Sequence, residues 1–265
     1  MSNQQESLNQ LISMSNWLGE EHRGFAILGE GNTSARAGDD SFFVKASGAR
    51  LGGIDDSGFV EVRFAPVLEM LDGPTLSDAD VKARLMAATV NNPARLAPSI
   101  ETLFHAYLLS VPDVRFVGHT HPIAVNAIAC SRGWKEFTRG RLFPDEIVCC
   151  GIAPAYIDYT DPGVPLGKAI RDSVAGYAVK HNEWPKSILM QNHGLIAIGE
   201  TPSQVMSITA MWDKTARVLA GTLHFGGPNF MSPESVSRIH TRPDELARKK
   251  RIEGKYVVGH NVITS

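Results

Sequence analysis

The segment Ile188-Leu-Met-Gln-Asn-His-Gly-Leu-Ile-Ala-Ile198 constrains the fold of this chain more than any other. It sets two unbroken apolar runs around a polar triplet and a glycine, and a strand with no polar alternation has no face to offer to water. The pattern predicts a pair of buried strands over Ser187–Gly199, with His193 in the reversal between them. Val114–Cys130 has the same character: a short apolar strand runs into Gly118, His119 and His121 follow at alternate positions, and Pro122 ends the strand before a helical Ile123–Ala129. Successive side chains of an extended chain point to opposite faces, so these two imidazoles share one face. Neutral imidazole is a common zinc ligand, and two from one strand supply half of a tetrahedral shell.

A His-x-His pair also occurs in ordinary loops, so a third ligand decides between the readings. His193 and Glu101 are the candidates, each a polar group at the end of an apolar element. Glu101 opens a helix for which Ser99 is the expected N-cap and Leu103, Phe104, Tyr107 and Leu108 form the buried stripe. A carboxylate at that position also suits the helix dipole without any further role. His105, one turn along, reads as packed core or as a group behind the ligands.

Around these segments the spacing predicts an amphipathic helix through Leu8, Leu11, Ile12, Ser15 and Leu18, stopped by Gly19. An apolar strand follows in Gly24–Leu28, then helices over Phe64–Leu71 and Ser77–Val90. Asp145–Ile157 reads as a strand pair that buries Cys149 and Cys150, and Pro165–Lys180 and Pro202–Thr222 read as helices. Gly31-Asn-Thr-Ser34 and Lys45-Ala-Ser-Gly48 combine glycine with short polar side chains, which suits either hairpin turns or cradles for a phosphate or carboxylate. Beyond Phe225 the character changes, and residues 226–265 are expected to form a tail that wraps a neighbouring subunit or stays mobile, with Arg248-Lys-Lys-Arg251 as a solvated run.

With 43% hydrophobic residues among 265, the chain has ample core for one large α/β domain, placed at 1–225. The 26 basic and 28 acidic residues give a formal net charge of −2, so no basic field favours a nucleic-acid partner and small-molecule chemistry is the better expectation. Cys130, Cys149 and Cys150 lack a metal-binding spacing and suit a reducing cytoplasm. No apolar run approaches the ~20 residues that span a bilayer, so no membrane partner is expected, and the first ten residues lack the basic and apolar regions of an export signal.

Gly31-Asn-Thr-Ser34, Lys45-Ala-Ser-Gly48, Pro98-Ser-Ile-Glu101, His119-Thr-His121 and Gln191-Asn-His-Gly194, taken in order and spacing, resemble the class II aldolase and adducin-head family, which includes L-fuculose-phosphate aldolase. The resemblance covers about residues 8 to 225, and Gly226-Gly-Pro-Asn229 points towards a branch similar to rhamnulose-phosphate aldolase domains. It implies a single three-layer α/β/α domain with a central, mainly antiparallel sheet, and a C4 homotetramer with active sites at subunit boundaries. It implies a divalent metal on His119, His121 and His193, with Glu101 as fourth ligand or catalytic base. Zinc is the usual ion, and imidazole suits manganese or cobalt as well.

Phosphate contacts carry over to Gly31, Asn32, Ser47, Gly48 and Ser99, and Tyr256 in the tail becomes the proton donor to the leaving aldehyde. Two positions depart from the family pattern: Ile100 replaces a second hydroxyl, and Lys45-Ala46 replaces Thr-Pro. The implied activity is a metal-dependent lyase, an aldolase cleaving a ketose 1-phosphate to dihydroxyacetone phosphate and an aldehyde through a metal-stabilised enediolate. A decarboxylase of a 3-oxo-acid, using the same enolate chemistry, is the alternative; related epimerases carry aspartate where Glu101 stands. The non-enzymatic alternative is an adducin-like binding head, a branch in which the metal histidines are not kept.

Overall fold

A computed structural model describes residues 3–74, 76–245 and 247. Its centre is an eight-stranded sheet made of β1 (Asn32–Arg36), β2 (Ser41–Lys45), β3 (Phe59–Arg63), β4 (Thr89–Val90), β5 (Phe116–Thr120), β6 (Ala155–Ile157), β7 (Ser187–Met190) and β8 (Gly194–Gly199). The spatial order is β4-β3-β2-β1-β5-β8-β7-β6. Every pairing is antiparallel except β6 with β7, where the connecting helix crosses over one face.

Among the described residues, ten named α-helices cover both faces: α1 (Asn3–Leu18), α2 (Phe64–Asp72), α3 (Asp78–Ala87), α4 (Thr102–Ser110), α5 (Ile123–Ala129), α6 (Trp134–Thr138), α7 (Pro144–Cys150), α8 (Val164–His181), α9 (Pro202–Thr222) and α10 (Pro233–Thr241). The period of two in β8 divides the core. Ile196 and Ile198 join α2, α3, α4 and α8, whereas Leu195 and Ala197 join α1, α5 and α9. This two-sided burial is what the unbroken apolar runs require, and the three-layer α/β/α expectation holds. No helix among the described residues is long and apolar enough to cross a membrane.

The same alternation sorts the polar residues of the central strands. Thr33 turns to the α1 side, where its Oγ1 lies 2.6 Å from Ser15 Oγ. Asn32 and Ser34 turn to the α4 side, and the antiparallel register sets Asn32 opposite His119. Polar chemistry is therefore gathered on one face, at one end of β1 and β5.

The structure corrects several local expectations. Gly24–Leu28 is not a strand but a turn, with Gly24 and Leu28 in the left-handed region, and the sheet begins only at Asn32. Phe25 O and Gly24 O accept isolated bonds from His121 N and Ile123 N instead of joining a ladder. Asp145–Cys150 is helix α7, because Pro144 sits in its first turn, Asp145 and Glu146 suit the positive helix end, and Gly151 closes it at φ 76°; only β6 remains of the expected strand pair. Thr89 and Val90, expected at a helix end, form the edge strand β4.

Helix α4 starts at Thr102, so Glu101 rather than Ser99 occupies the N-cap, and Ser99 Oγ instead accepts from Glu101 N at 3.3 Å. Of the cysteines, Cys150 is buried and Cys149 only partly so, and none forms a disulfide. The region expected as a tail begins with α10, which packs Ile239 and Val236 on Ile147 and Val148 of the same chain. Arg248-Lys-Lys-Arg251 and Tyr256 lie outside the described residues.

Candidate metal centre

Three imidazoles meet where β5 leaves the sheet. His119 is the last residue but one of β5 and faces α4, His121 follows just past the strand, and His193 stands in the β7–β8 turn. That turn is held from behind: Asn126 Nδ2 on α5 donates to His193 O at 3.1 Å, and Asn192 N donates to Ala129 O at 3.2 Å. Gly194 permits the approach, since a Cβ there would lie 2.6 Å from Thr120 O and 2.7 Å from His121 Cδ2. Gly31 does the same from β1, its absent Cβ leaving room for His119 O at 2.6 Å and its φ of 67° being one that glycine adopts freely.

The ring centroids of His119 lie 4.7 Å from His121 and 4.8 Å from His193, and those of His121 and His193 are 5.3 Å apart. One nitrogen from each ring can be chosen so that all three fall within 4.8 Å of one another. His119 Nδ1 lies 3.1 Å from Leu195 O, and because a carbonyl oxygen only accepts, that nitrogen carries the proton. Its Nε2 lone pair is left facing His121 Nε2 at 3.0 Å. Two lone pairs in that relation repel unless a proton or a cation lies between them, and nitrogens ~2.0–2.1 Å from a tetrahedral zinc stand roughly 3.3 Å apart. The donor set therefore fits a divalent metal of the zinc class.

Glu101 closes the group, with Oε1 at 3.2 Å from His193 Nε2 and Oε2 at 3.6 Å from His119 Nε2. Burial works to raise its carboxyl, but the neighbouring imidazoles of His119 and His193, the latter by a hydrogen bond, and the Asn32 amide outweigh it and hold the group well below the usual carboxylate range. Burial pushes His119 far down, with His121 and His193 adding to the effect against Glu101, and it lowers His121 in the same way. Uncharged imidazoles and an ionised carboxylate are the forms that bind a cation.

The cradle segments come together beside this group. Ala46 bridges to Pro98, and Ser47 N donates to Ala97 O at 2.8 Å, so the Lys45–Gly48 turn lies against the segment that leads into Ser99 and Glu101. Ser47 and Gly48 are exposed there. Lys45 is buried, its Nζ donates to Ala49 O at 2.6 Å, and burial lowers its pKa while Glu101 opposes the shift. Ile100 is turned away from the cradle, packed on the α8 side with its Cδ1 3.2 Å from where a Gly163 Cβ would be.

Asn32, expected in the cradle, instead directs its Nδ2 to Glu101 Oε2 at 2.5 Å. Ser34, read as part of a cradle, takes another place, and Glu30 escaped sequence reasoning as part of the site. Ser34 meets His105 behind Asn32, and Glu30 Oε1 stands 3.9 Å from His121 Nδ1.

The match to known proteins follows this geometry. Residues 9–220 match the family model "Class II Aldolase and Adducin N-terminal domain", and the chain belongs to that family. The structure superposes with a TM-score of 0.65 on the N-terminal class II aldolase domain of a conserved protein from Thermoplasma acidophilum, at 23% identity over 80% of this chain and 93% of that one. It matches an L-fuculose 1-phosphate aldolase at TM-score 0.65 and 16% identity, covering 89% of this chain and 94% of the other.

YgbL from Escherichia coli, described as a putative aldolase/epimerase/decarboxylase, matches at TM-score 0.65 and 20% identity over 90% and 99% of the two chains. In sequence, the chain is 27% identical over 204 residues to the uncharacterized oxidoreductase YuxG of Bacillus subtilis. That stretch is 74% of this chain and 27% of the relative, so the chain spans about a quarter of that protein's length.

Proposed function

We propose that this protein is a metal-dependent carbon–carbon lyase that cleaves a ketose 1-phosphate to dihydroxyacetone phosphate and an aldehyde. The observation that carries this reading is the convergence of His119, His121 and His193 on the carboxylate of Glu101. A divalent ion held by the three imidazoles, with zinc first in order and manganese or cobalt next, supplies Lewis acidity to a substrate's carbonyl and neighbouring hydroxyl oxygens. Glu101, ionised beside them, takes the proton from the carbon next to the carbonyl in the synthetic direction and returns it after cleavage.

Ser47, Gly48 and Ser99 lie where the anionic end of such a substrate would rest, and buried Lys45 adds a cation near Glu101. The retained imidazole triad supports an enzyme over an adducin-like binding head. Lys45 also supports the second reading, decarboxylation of a 3-oxo-acid, whose carboxylate an ammonium would suit. The working unit is a homotetramer with its sites at subunit boundaries. Ile27, Leu28, Ile123 and Tyr159, exposed around the centre, supply apolar surface for such a contact.

Proton exchange tests the reading directly. Metal-loaded protein incubated with dihydroxyacetone phosphate in D2O is expected to exchange one carbon-bound proton, followed by proton NMR, and to cleave at least one ketose 1-phosphate. Metal at about one ion per chain with neither exchange nor cleavage would sink the aldolase reading, and carbon dioxide release from 3-oxo-acids would replace it. An active monomer by light scattering would remove the tetramer.

A further inference from the structure

Behind Glu101 stands a buried row of polar side chains that the lyase chemistry does not itself use. Asn32, Ser34 and His105 are 4%, 0% and 0% exposed, and among the described residues their side chains bond to one another and to the carboxylate. We propose that Asn32 is a positioning residue for Glu101, and that Ser34 and His105 determine which end of its amide faces the carboxylate. The proposal rests on the reading of Glu101 as the proton-transferring base.

The direction of every bond follows from one fact. An ionised carboxylate only accepts, so the end of Asn32 that lies 2.5 Å from Glu101 Oε2 is its NH2 group. The amide oxygen then faces His105 Nε2, which must carry the ring proton to donate to it. A neutral imidazole has one such proton, so Nδ1 is an acceptor and receives a hydrogen bond from the Ser34 hydroxyl, whose Oγ lies 2.7 Å away. Burial keeps the ring neutral, holding its pKa down to about 3, with Lys45 adding to the effect and Glu101 opposing it. Phe104 stacks on the ring at 4.6 Å between centroids and prevents it from turning.

The opposite arrangement, with the proton on Nδ1, reverses each bond and turns the amide oxygen towards Glu101. Two acceptors would then face each other across a buried gap. His105 thus sets the orientation of a side chain one bond removed from it, and through it the orientation of the base. Glu101 needs this support because its other oxygen lies towards His193 and its backbone sits at a helix N-cap, before the regular part of α4. The assignment also changes the part played by Asn32: with its oxygen and one N–H engaged, losing it affects the chemical step more than the holding of an anion.

Two measurements on the whole, metal-loaded chain test this. Nitrogen-15 NMR of histidine-labelled protein, which needs no substrate, is expected to find His105 protonated at Nε2 and bare at Nδ1. The reverse tautomer overturns the proposal. In the dihydroxyacetone phosphate exchange assay, His105→Phe keeps the stacking but removes the donor. Its saturating rate is expected to fall by about tenfold to a hundredfold, the loss typical of groups that orient those at a metal site, with half-saturation and bound metal nearly unchanged.

His105→Gln can place an amide N–H towards Asn32 and should recover most of that loss. An unaltered rate in His105→Phe, or no recovery in His105→Gln, overturns the proposal. If His105→Phe does not fold, Asn32→Ala reads the same split, and a rise in half-saturation with an intact rate returns Asn32 to the anion cradle. Failure of wild-type protein to exchange any proton counts against the lyase reading alone, and the tautomer then decides this one.

Discussion

Two clusters of buried charge lie on this fold, and they are built on opposite plans. Arg141 and Glu146, each 1% exposed, pair at 2.8 Å within the loop that leads into α7. Arg141 Nε donates to Gly151 O at 2.8 Å and its second terminal nitrogen to Cys150 O at 3.3 Å, while the other oxygen of Glu146 accepts from Leu142 N at 2.8 Å. Both oxygens of Glu146 and each nitrogen of Arg141 have a partner, so the cluster is closed and ties loop to helix.

At the candidate metal centre the arithmetic is different. His119 Nε2 and His121 Nε2 face each other at 3.0 Å, and with the His119 proton on Nδ1 only a proton of His121 or a cation can join them. Their remaining valence points at a common space. A satisfied buried cluster stabilises one structure, whereas a cluster with converging lone pairs is prepared for something added to it.

Substitution at each carboxylate separates the plans. Glu101→Gln keeps the shape but cannot accept a proton, so turnover should fall by roughly 10²–10⁴ while metal content and melting temperature stay near those of the parent. Activity close to wild type would make Glu101 a helix cap and nothing more. Glu146→Ala is expected to do the reverse. It strands the Arg141 guanidinium without its partner and should cost about 3–5 kcal/mol in urea unfolding, leaving metal affinity of the folded fraction intact. A loss under 1 kcal/mol would mean that water reaches Arg141 and the cluster is not closed.

Metal removal should touch only the open cluster. Adding zinc to chelator-treated protein at about a hundred times its dissociation constant should raise stability by about 2.7 kcal/mol, read as a rise in the unfolding midpoint. The triple variant His119→Ala, His121→Ala, His193→Ala should lose that rise, and its persistence would place the ion elsewhere.

The smallest effect belongs to a third pair, His240 with Glu183 at 2.9 Å, which fastens α10 to the end of α8. The hydrogen bond to Glu183 raises the His240 pKa against the opposing effect of burial. A raised folded value means stability that is fully present below the unfolded pKa of about 6.5 and lost as pH rises through the folded value. Amide exchange in α10 should therefore quicken from pH 5.5 to pH 8 beyond its chemical rate, by at most about 1 kcal/mol of protection. In His240→Gln this extra pH dependence should disappear; if it remains, another group holds α10.

Much of this was legible in the residues themselves, because local periodicity and burial are linked directly. The continuous apolar runs at Ile188–Met190 and Leu195–Ile198 required a sheet covered on both faces, and the alternate spacing of His119 and His121 placed their rings together. Helix α9 carries its own boundaries in Thr201, whose side chain accepts from Gln204 N, and Pro202 in its first turn. Where the pattern was short, local preference misled. Ile147-Val148-Cys149-Cys150 is as apolar and branched as a strand, and only Pro144 before it and the Arg141–Glu146 pair make it a helix.

The inner arrangement of the site belonged to tertiary structure alone. Asn32 and Glu101 are 69 residues apart, and nothing local says that Asn32 would bond to Glu101 instead of facing an anion. The register of β1 against β5, the start of α4 at Thr102 and the burial of His105 decide it. Sequence determined which side chains were available to this protein, since periodicity acts over a few residues. The choice of partners waited on the packing of distant segments, because a buried polar group bonds to whatever the fold brings within 3 Å of it.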